Sequence, residues 1–236
     1  MRKIGIAGVQ CFDGPCRPWT KAGCSSCAIR PMKVYSGNDG KKSNLEYLKM
    51  HGYGIMVSRN YRDPRRSEYY AFDNGAFSAW KNNKPWDSES FLRVLEKFLG
   101  HEKGPDFVVV PDIVGEGVRS LKWSLEWLDK IGGGETRYYL AVQDGMTNDM
   151  VKPIIKQFGG LFVGGTLEWK YQTAKDWVAL SHSHILPCHI GRCGEWDKVA
   201  WASIIGADSI DSMSWARNGS YHHIEYAKEQ MQFGGA

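Results

Sequence analysis

Short runs of β-branched and aromatic residues recur along this chain, separated by stretches with helical spacing. Eight strands are predicted, at KIGIAGV (3–9), YGIMVS (53–58), YYAFDNG (69–75), DFVVVPD (106–112), RYYLAVQ (137–143), LFVGG (161–165), HILPCHIG (184–191) and DSIDSM (208–213). Residues 88–99 place Phe91, Leu92, Leu95, Phe98 and Leu99 on one helical face, with Ser88 as N-cap and Gly100 as stop. Residues 116–131 repeat the pattern with Val118, Leu121, Leu125 and Leu128, ended by the glycines at 132–134. Residues 170–181 and 195–205 read as shorter helices. Residues 11–43 are rich in Gly, Cys and Lys without a period and read as an irregular, Cys-rich insertion after the first strand. Strands alternating with helices imply a parallel sheet, and eight of them imply an α/β fold, a closed (β/α)8 TIM barrel forming one catalytic domain over 1–236. An open doubly wound sheet is the competitor. It loses support because no G-x-G-x-x-G turn follows the first strand.

Length fits that barrel, and no apolar run of membrane-spanning length occurs in the sequence. The apolar run in MRKIGIAGVQC is too short for an ordinary signal peptide, so the expected location is the cytoplasm, with no membrane partner. A net charge of +4 permits contact with nucleic acid without requiring it. Ten tryptophans and eleven tyrosines serve a core, and the same rings can stack on exposed bases. Four of the six cysteines, Cys11, Cys16, Cys24 and Cys27, fall in a C-x4-C-x7-C-x2-C pattern. Its C-x-x-C end suits a structural zinc that would order a segment with little core of its own, while free thiols in a small-residue loop are the alternative. Cys188, His189 and Cys193 form a second group, read as lining an active site.

Chemistry in such a barrel sits at the C-terminal ends of the strands. Those ends carry Asp73 and Asn74, then Asp112, Gln143 with Asp144, Gly164 with Gly165, His189 with Arg192, and Asp211. An aspartate after a strand is commonly a turn former or helix cap. Recurrence at equivalent ends makes Asp73, Asp112, Gln143 and Asp211 a candidate mouth with paired carboxylates.

The segments FDNGAF (72–77), VVPD (109–112), AVQDG (141–145), FVGGT (162–166) and GADSIDSMSWARNG (206–219) resemble, in order, the tRNA-guanine transglycosylase superfamily. They are most similar to its short phage and bacterial branch, which inserts 7-deazaguanines into DNA. The resemblance implies a pentosyltransferase that exchanges guanine in DNA for a 7-deazaguanine through a covalent aspartyl-deoxyribose intermediate. It puts Asp211 in the place of the nucleophile, within D-x-x-D-x-x-x-x-x-R, and Asp73 in that of the general base. Phe77 takes the place of the ring that stacks on the base. Asp112, Gln143 and the Gly164–Gly165 backbone take the places that bind the purine, with Asn74 beside them and Arg217 toward the nucleic acid.

Three departures lean toward DNA. The zinc-binding C-x-C-x-x-C downstream of the nucleophile in the tRNA enzymes has no counterpart after Asp211, and no RNA-binding appendage follows. Lys170 stands where those enzymes place a glutamate that senses the base substituent, which favours a nitrile-bearing base such as preQ0. No organic cofactor is expected. On this reading the 11–43 segment contacts DNA through Arg17, Lys21, Arg30 and Trp19, the alternative being solubilising charges on a loop. Three other readings remain: a tRNA-guanine transglycosylase, a barrel N-glycosidase or nucleosidase using water, and a non-catalytic nucleic-acid-binding barrel.

Overall fold

A computed structural model describes residues 32–37, 41–58 and 67–233. Eight parallel strands close on themselves in chain order: β1 (Lys33–Gly37), β2 (Gly54–Val57), β3 (Tyr70–Phe72), β4 (Val108–Val109), β5 (Tyr138–Val142), β6 (Gly160–Val163), β7 (Cys188–Ile190) and β8 (Ser209–Ser212). Closure is made by β1 against β8, with Tyr35 opposite Asp211 and Ser36 opposite Ser212. The helices α1 (Lys42–His51), α2 (Ala76–Lys81), α3 (Ser88–Leu99), α4 (Gly117–Ile131), α5 (Asn148–Val151), α6 (Leu167–Ser183), α7 (Trp196–Ile204), α8 (Ser214–Asn218) and α9 (His222–Phe233) fall between or after the strands. The expected (β/α)8 TIM barrel is therefore the fold.

Pleating sends alternate side chains to opposite faces, and two separate apolar clusters result. Val34, Ile55, Val57, Tyr70, Phe72, Val108, Leu140, Leu161 and Ile210 face outward and pack under the helices. Tyr35, Met56, Ala71, Phe107, Val109, Tyr139 and Ala141 fill the bore. Aromatic rings dominate this inner set: Phe107 stacks on Tyr139 at 4.1 Å, and Phe162 stacks on His189 at 4.7 Å. Beneath them Tyr35 Oη and Lys33 Nζ both donate to Asp106, at 2.6 and 2.5 Å. The bore is thus a packed plug, and a ligand has access only above it.

Seven of the eight expected strands fall where the pattern put them. The first does not: β1 is KVYSG at 33–37, inside the segment read as an insertion, and α1 begins at Lys42. This corrects the placement of the insertion, because Cys11, Cys16, Cys24 and Cys27 precede the barrel's first strand instead of following it. The chain enters β1 at the end of the barrel opposite the mouth. An insertion after the first strand would instead emerge at the mouth, which would bring Arg17, Trp19, Lys21 and Arg30 to DNA bound there. Those residues, the four cysteines with the expected zinc, and the strand expected at 3–9 lie outside the described residues.

Helix α3 keeps its boundaries, but Asp87 caps it, accepting a hydrogen bond from Ser90 N at 2.9 Å. Its buried face is Phe91, Val94, Leu95 and Phe98, with Leu99 turned to solvent. Along α4, Val118 is likewise exposed, and Gly132 ends the helix as expected. Among the described residues no helix is long and apolar enough to cross a membrane.

Candidate active site

Each strand releases a polar residue as it leaves the sheet, and the parallel arrangement gathers these at one end. Asp73 is the first residue past β3, and its N–H still continues the ladder to Val57 O at 2.8 Å. The bore parity of β8 turns Asp211 inward, buried and above the aromatic plug. Its Oδ1 accepts from Arg192 N at 3.2 Å and pairs with His189 Nε2 at 3.0 Å. A carboxylate oxygen only accepts, so Nε2 carries the hydrogen and Nδ1 accepts from Ser209 Oγ at 2.8 Å. Burial holds the His189 imidazole below the ordinary histidine range, against the pull of Asp211, so a neutral ring fills this role. Oδ1 is thereby fixed, and Oδ2 makes no hydrogen bond among the described residues.

Asp73 faces this group. Burial first, and then the charges of Asp211 and Asp112, push its carboxyl up to about 7, although Gly75 and Asn74 backbone N–H groups favour the ionised form. Burial also raises Asp112, to about 6, against hydrogen bonds from Asn74 and Gln143. A carboxyl titrating near neutrality among other carboxylates is suited to moving protons.

Asp112 is held by two amides. Asn74 Nδ2 donates to Oδ1 at 2.8 Å and Gln143 Nε2 donates to Oδ2 at 2.9 Å. Asn74 spends its second N–H on Val110 O and accepts from Ala76 N, while Gln143 spends its second on Ser120 Oγ and accepts from Gly115 N. Both amides are therefore saturated as donors, and both are buried. A carboxylate oxygen has two lone pairs, so each Asp112 oxygen can accept a further bond beyond the one its amide donates, with the residue's own backbone N–H also favouring the ionised form.

Other expected residues resolve differently. Asp144 binds Thr166 N and Oγ1 at 2.7 and 2.6 Å. Partial burial opposes its ionisation, but these bonds outweigh that and hold it below the usual carboxylate range. It therefore fastens the β5 loop to the start of α6, where Thr166 is N-cap. Asp208 lies at the other end of β8, tied to Cys188 N and His182 Nε2 at 2.7 and 2.8 Å, which removes it from the carboxylate cluster. Gly165 adopts φ +72, and a Cβ there would meet Asp144 and the Trp169 ring at 2.6 Å each. Arg217 is exposed on α8. Cys188 faces outward into the core beneath the helices, opposite His189, and Cys193 is buried there too. Strand parity corrects the reading of Cys188 as lining an active site, while Cys193 follows β7 and donates its N–H to Asp211 O at 2.8 Å. Among the described residues no group of three or more metal-binding side chains gathers.

Arg192, expected at the end of the seventh strand and itself at φ +62, sends its guanidinium to Gly165 O and over the Phe77 ring at 4.5 Å, so it spans the mouth. One feature escaped sequence reasoning. Trp80, 58% exposed, lies one helical turn from Phe77 with ring centroids 5.7 Å apart. Helical spacing from Phe77 was the available signal for Trp80. Lys170 is buried, and its Nζ donates to Gly191 O. Burial lowers its ammonium to about 8.

Fold and site define a (β/α)8 barrel with a carboxylate cluster and a two-oxygen acceptor at the C-terminal mouth. No family model and no curated protein matches the chain.

Proposed function

We propose that this barrel exchanges a purine base at the anomeric carbon of a deoxynucleotide in DNA, taking out guanine and inserting a 7-deazaguanine, with preQ0 as the favoured incoming base. The observation that carries the reading is the juxtaposition of Asp211, Asp73 and the twin acceptors of Asp112 in one mouth.

Asp112 presents two parallel acceptors, and guanine presents two parallel donors, N1–H and the 2-amino group. Asn74 and Gln143 orient Asp112 and are positioning residues, since their N–H groups are already committed. Phe77 and Trp80 supply exposed rings against which a base taken out of the stack can rest. The free Asp211 Oδ2 attacks C1′ as the C1′–N9 bond breaks, and the electron pair leaves with the base. Asp73, protonated, delivers its proton to the departing purine. The glycosyl ester on Asp211 then waits for the incoming base, whose N9 proton passes to Asp73 as N9 attacks C1′ and releases Asp211. Two displacements at one carbon give retention. His189 and Arg192 N hold Asp211 in place for both.

The test is incorporation of labelled guanine, and separately labelled preQ0, into duplex DNA and into tRNA. Wild type should label DNA, and Asp211→Ala should not. Label in tRNA alone would give the tRNA-acting reading. Release of free guanine without incorporation would give an N-glycosidase. Binding of DNA with neither exchange nor release would overturn the enzyme reading.

A further inference from the structure

Beside the carboxylate cluster, between the loops that follow β7 and β8, lies a cleft of about 330 Å³. Nothing in the exchange chemistry uses it, and every residue of its lining except Gly194 carries a polar side chain. Lys198 brings a positive charge and His223 stands beside it, while Arg192 borders the cleft with its guanidinium turned to Gly165 O and the Phe77 ring. The one acidic group is Glu195, 62% exposed at the side chain and paired with Lys198 Nζ at 2.8 Å, so it sits at the rim.

The hydroxyls have donors to spare. Ser212 Oγ and Ser214 Oγ lie 2.7 Å apart, and Ser212 Oγ also accepts from Ser214 N at 3.1 Å. Two hydroxyls that share one bond use one hydrogen between them, and the other remains to donate elsewhere. Gly194 makes room for this pair: a Cβ there would meet Ser214 Oγ at 2.3 Å and Ser212 Oγ at 2.8 Å. A spare hydroxyl donor beside a lysine forms a lining that binds phosphoryl oxygens. The loops after strands 7 and 8 are also where barrels commonly bind phosphate.

Position makes the cleft specific. Ser212 follows Asp211 on β8, and successive side chains point to opposite faces of a strand. Asp211 therefore faces the bore while Ser212 faces the cleft just outside it. Arg192 borders both, with its N–H on Asp211 and a place in the wall of the cleft. A nucleotide has the same layout, a base and a phosphate joined through one sugar. We infer that this cleft binds the phosphoryl group attached to the sugar whose anomeric carbon meets Asp211. The inference rests on the base-exchange reading for what occupies the mouth. Two sources share this chemistry, the monoester of a mononucleotide and the diester of a polynucleotide.

The experiment is equilibrium binding to the full chain, followed by tryptophan fluorescence, of guanine, deoxyguanosine, its 5′-monophosphate and a guanine-containing single-stranded oligonucleotide. Wild type is compared with Lys198→Gln and, separately, Ser214→Ala. The phosphorylated ligands should bind wild type about tenfold or more tightly than deoxyguanosine, from charge-assisted hydrogen bonds. The variants should lose most of that advantage while binding guanine as wild type does, which also shows that they fold. Loss confined to the monophosphate identifies a mononucleotide site. Loss confined to the oligonucleotide, with a salt slope reduced by about one, identifies a backbone contact. Equal binding of deoxyguanosine and both phosphorylated ligands, or an advantage that survives in both variants, overturns the inference. Failure of guanine to bind wild type would instead count against the base-exchange reading, and the phosphate comparison would still report on the cleft.

Discussion

Replacing Asp73 by Asn removes one charge from the mouth and keeps its shape. The amide oxygen still accepts from the backbone N–H groups of Asn74 and Gly75 that the carboxylate uses. An aspartate in an unfolded chain ionises near ~3.9. In the fold, burial and then the charges of Asp211 and Asp112 raise Asp73 to about 7. A group raised on folding contributes stability that is fully present below its unfolded value and is lost as pH climbs through its folded value. At about 1.4 kcal/mol per unit, the ionised side chain costs the folded state about 1.5 kcal/mol at pH ~5 and about 4 kcal/mol at pH ~8. The variant should therefore be more stable than wild type at both, with the gain growing by about 2.5 kcal/mol between them. Urea unfolding at the two pH values measures this as a double difference, in which other titrating groups cancel. Against a total stability of roughly 5–15 kcal/mol the effect is large. A gain that stayed constant with pH, or a variant less stable than wild type at pH ~8, would refute the claim that the fold holds Asp73 against its ionisation. The variant should also fail to exchange bases.

Asp112→Asn turns one acceptor of a parallel pair into a donor, and guanine affinity should fall by about 1–3 kcal/mol, ten- to a hundredfold, in a titration with free base. Wild-type exchange should follow a bell-shaped pH profile, rising as Asp112 ionises near 6 to accept the guanine edge and falling as Asp73 loses near 7 the proton it must deliver to the departing base; a flat rate from pH ~5 to ~8 would remove both from the reaction. Asp144→Ala should cost about 1–3 kcal/mol in thermal or urea unfolding, by freeing Thr166, and leave guanine affinity within twofold.

Most of the fold was legible because five strands, β2 to β6, are apolar on both faces, as buried parallel strands must be. VVV at 108–110 and YYLAV at 138–142 supply the outward layer and the plug at once. β1 was not legible for the opposite reason. KVYSG offers the helices only Val34 as an apolar residue and begins with a lysine whose partner, Asp106, is far away in sequence. KIGIAGV reads more like a strand than KVYSG does, and local pattern prefers it. What settles β1 is pairing: Tyr35 lies opposite Asp211 across the seam of a closed barrel. That is a contact between the two ends of the described barrel, and no local window contains it. Helix α1 was missed similarly, since among its residues only Leu48 is buried and its sequence carries little amphipathic signal.

The site divides along the same line. That several carboxylates converge follows from topology alone, because any polar residue one step past a parallel strand reaches the same mouth. Which carboxylates remain available there depends on partners distant in sequence. Asp144 and Asp112 both follow a strand, and sequence treats them alike. Asp144 spends both oxygens on Thr166, whereas Asp112 is gripped by Asn74 and Gln143 in a way that leaves an acceptor open on each oxygen. Asp208 and Asp211 stand three residues apart, yet Asp208 immediately precedes β8 and Asp211 lies near its far end. One fastens β7 to β8 through Cys188 N, and the other meets His189 inside the bore. His189 is legible as a bore residue only after strand parity is known, since shifting β7 by one residue would exchange it with Cys188. The chemistry of the mouth is therefore set less by how many aspartates reach it than by which of them the neighbouring loops leave uncommitted, and in this barrel those are Asp73, Asp112 and the second oxygen of Asp211.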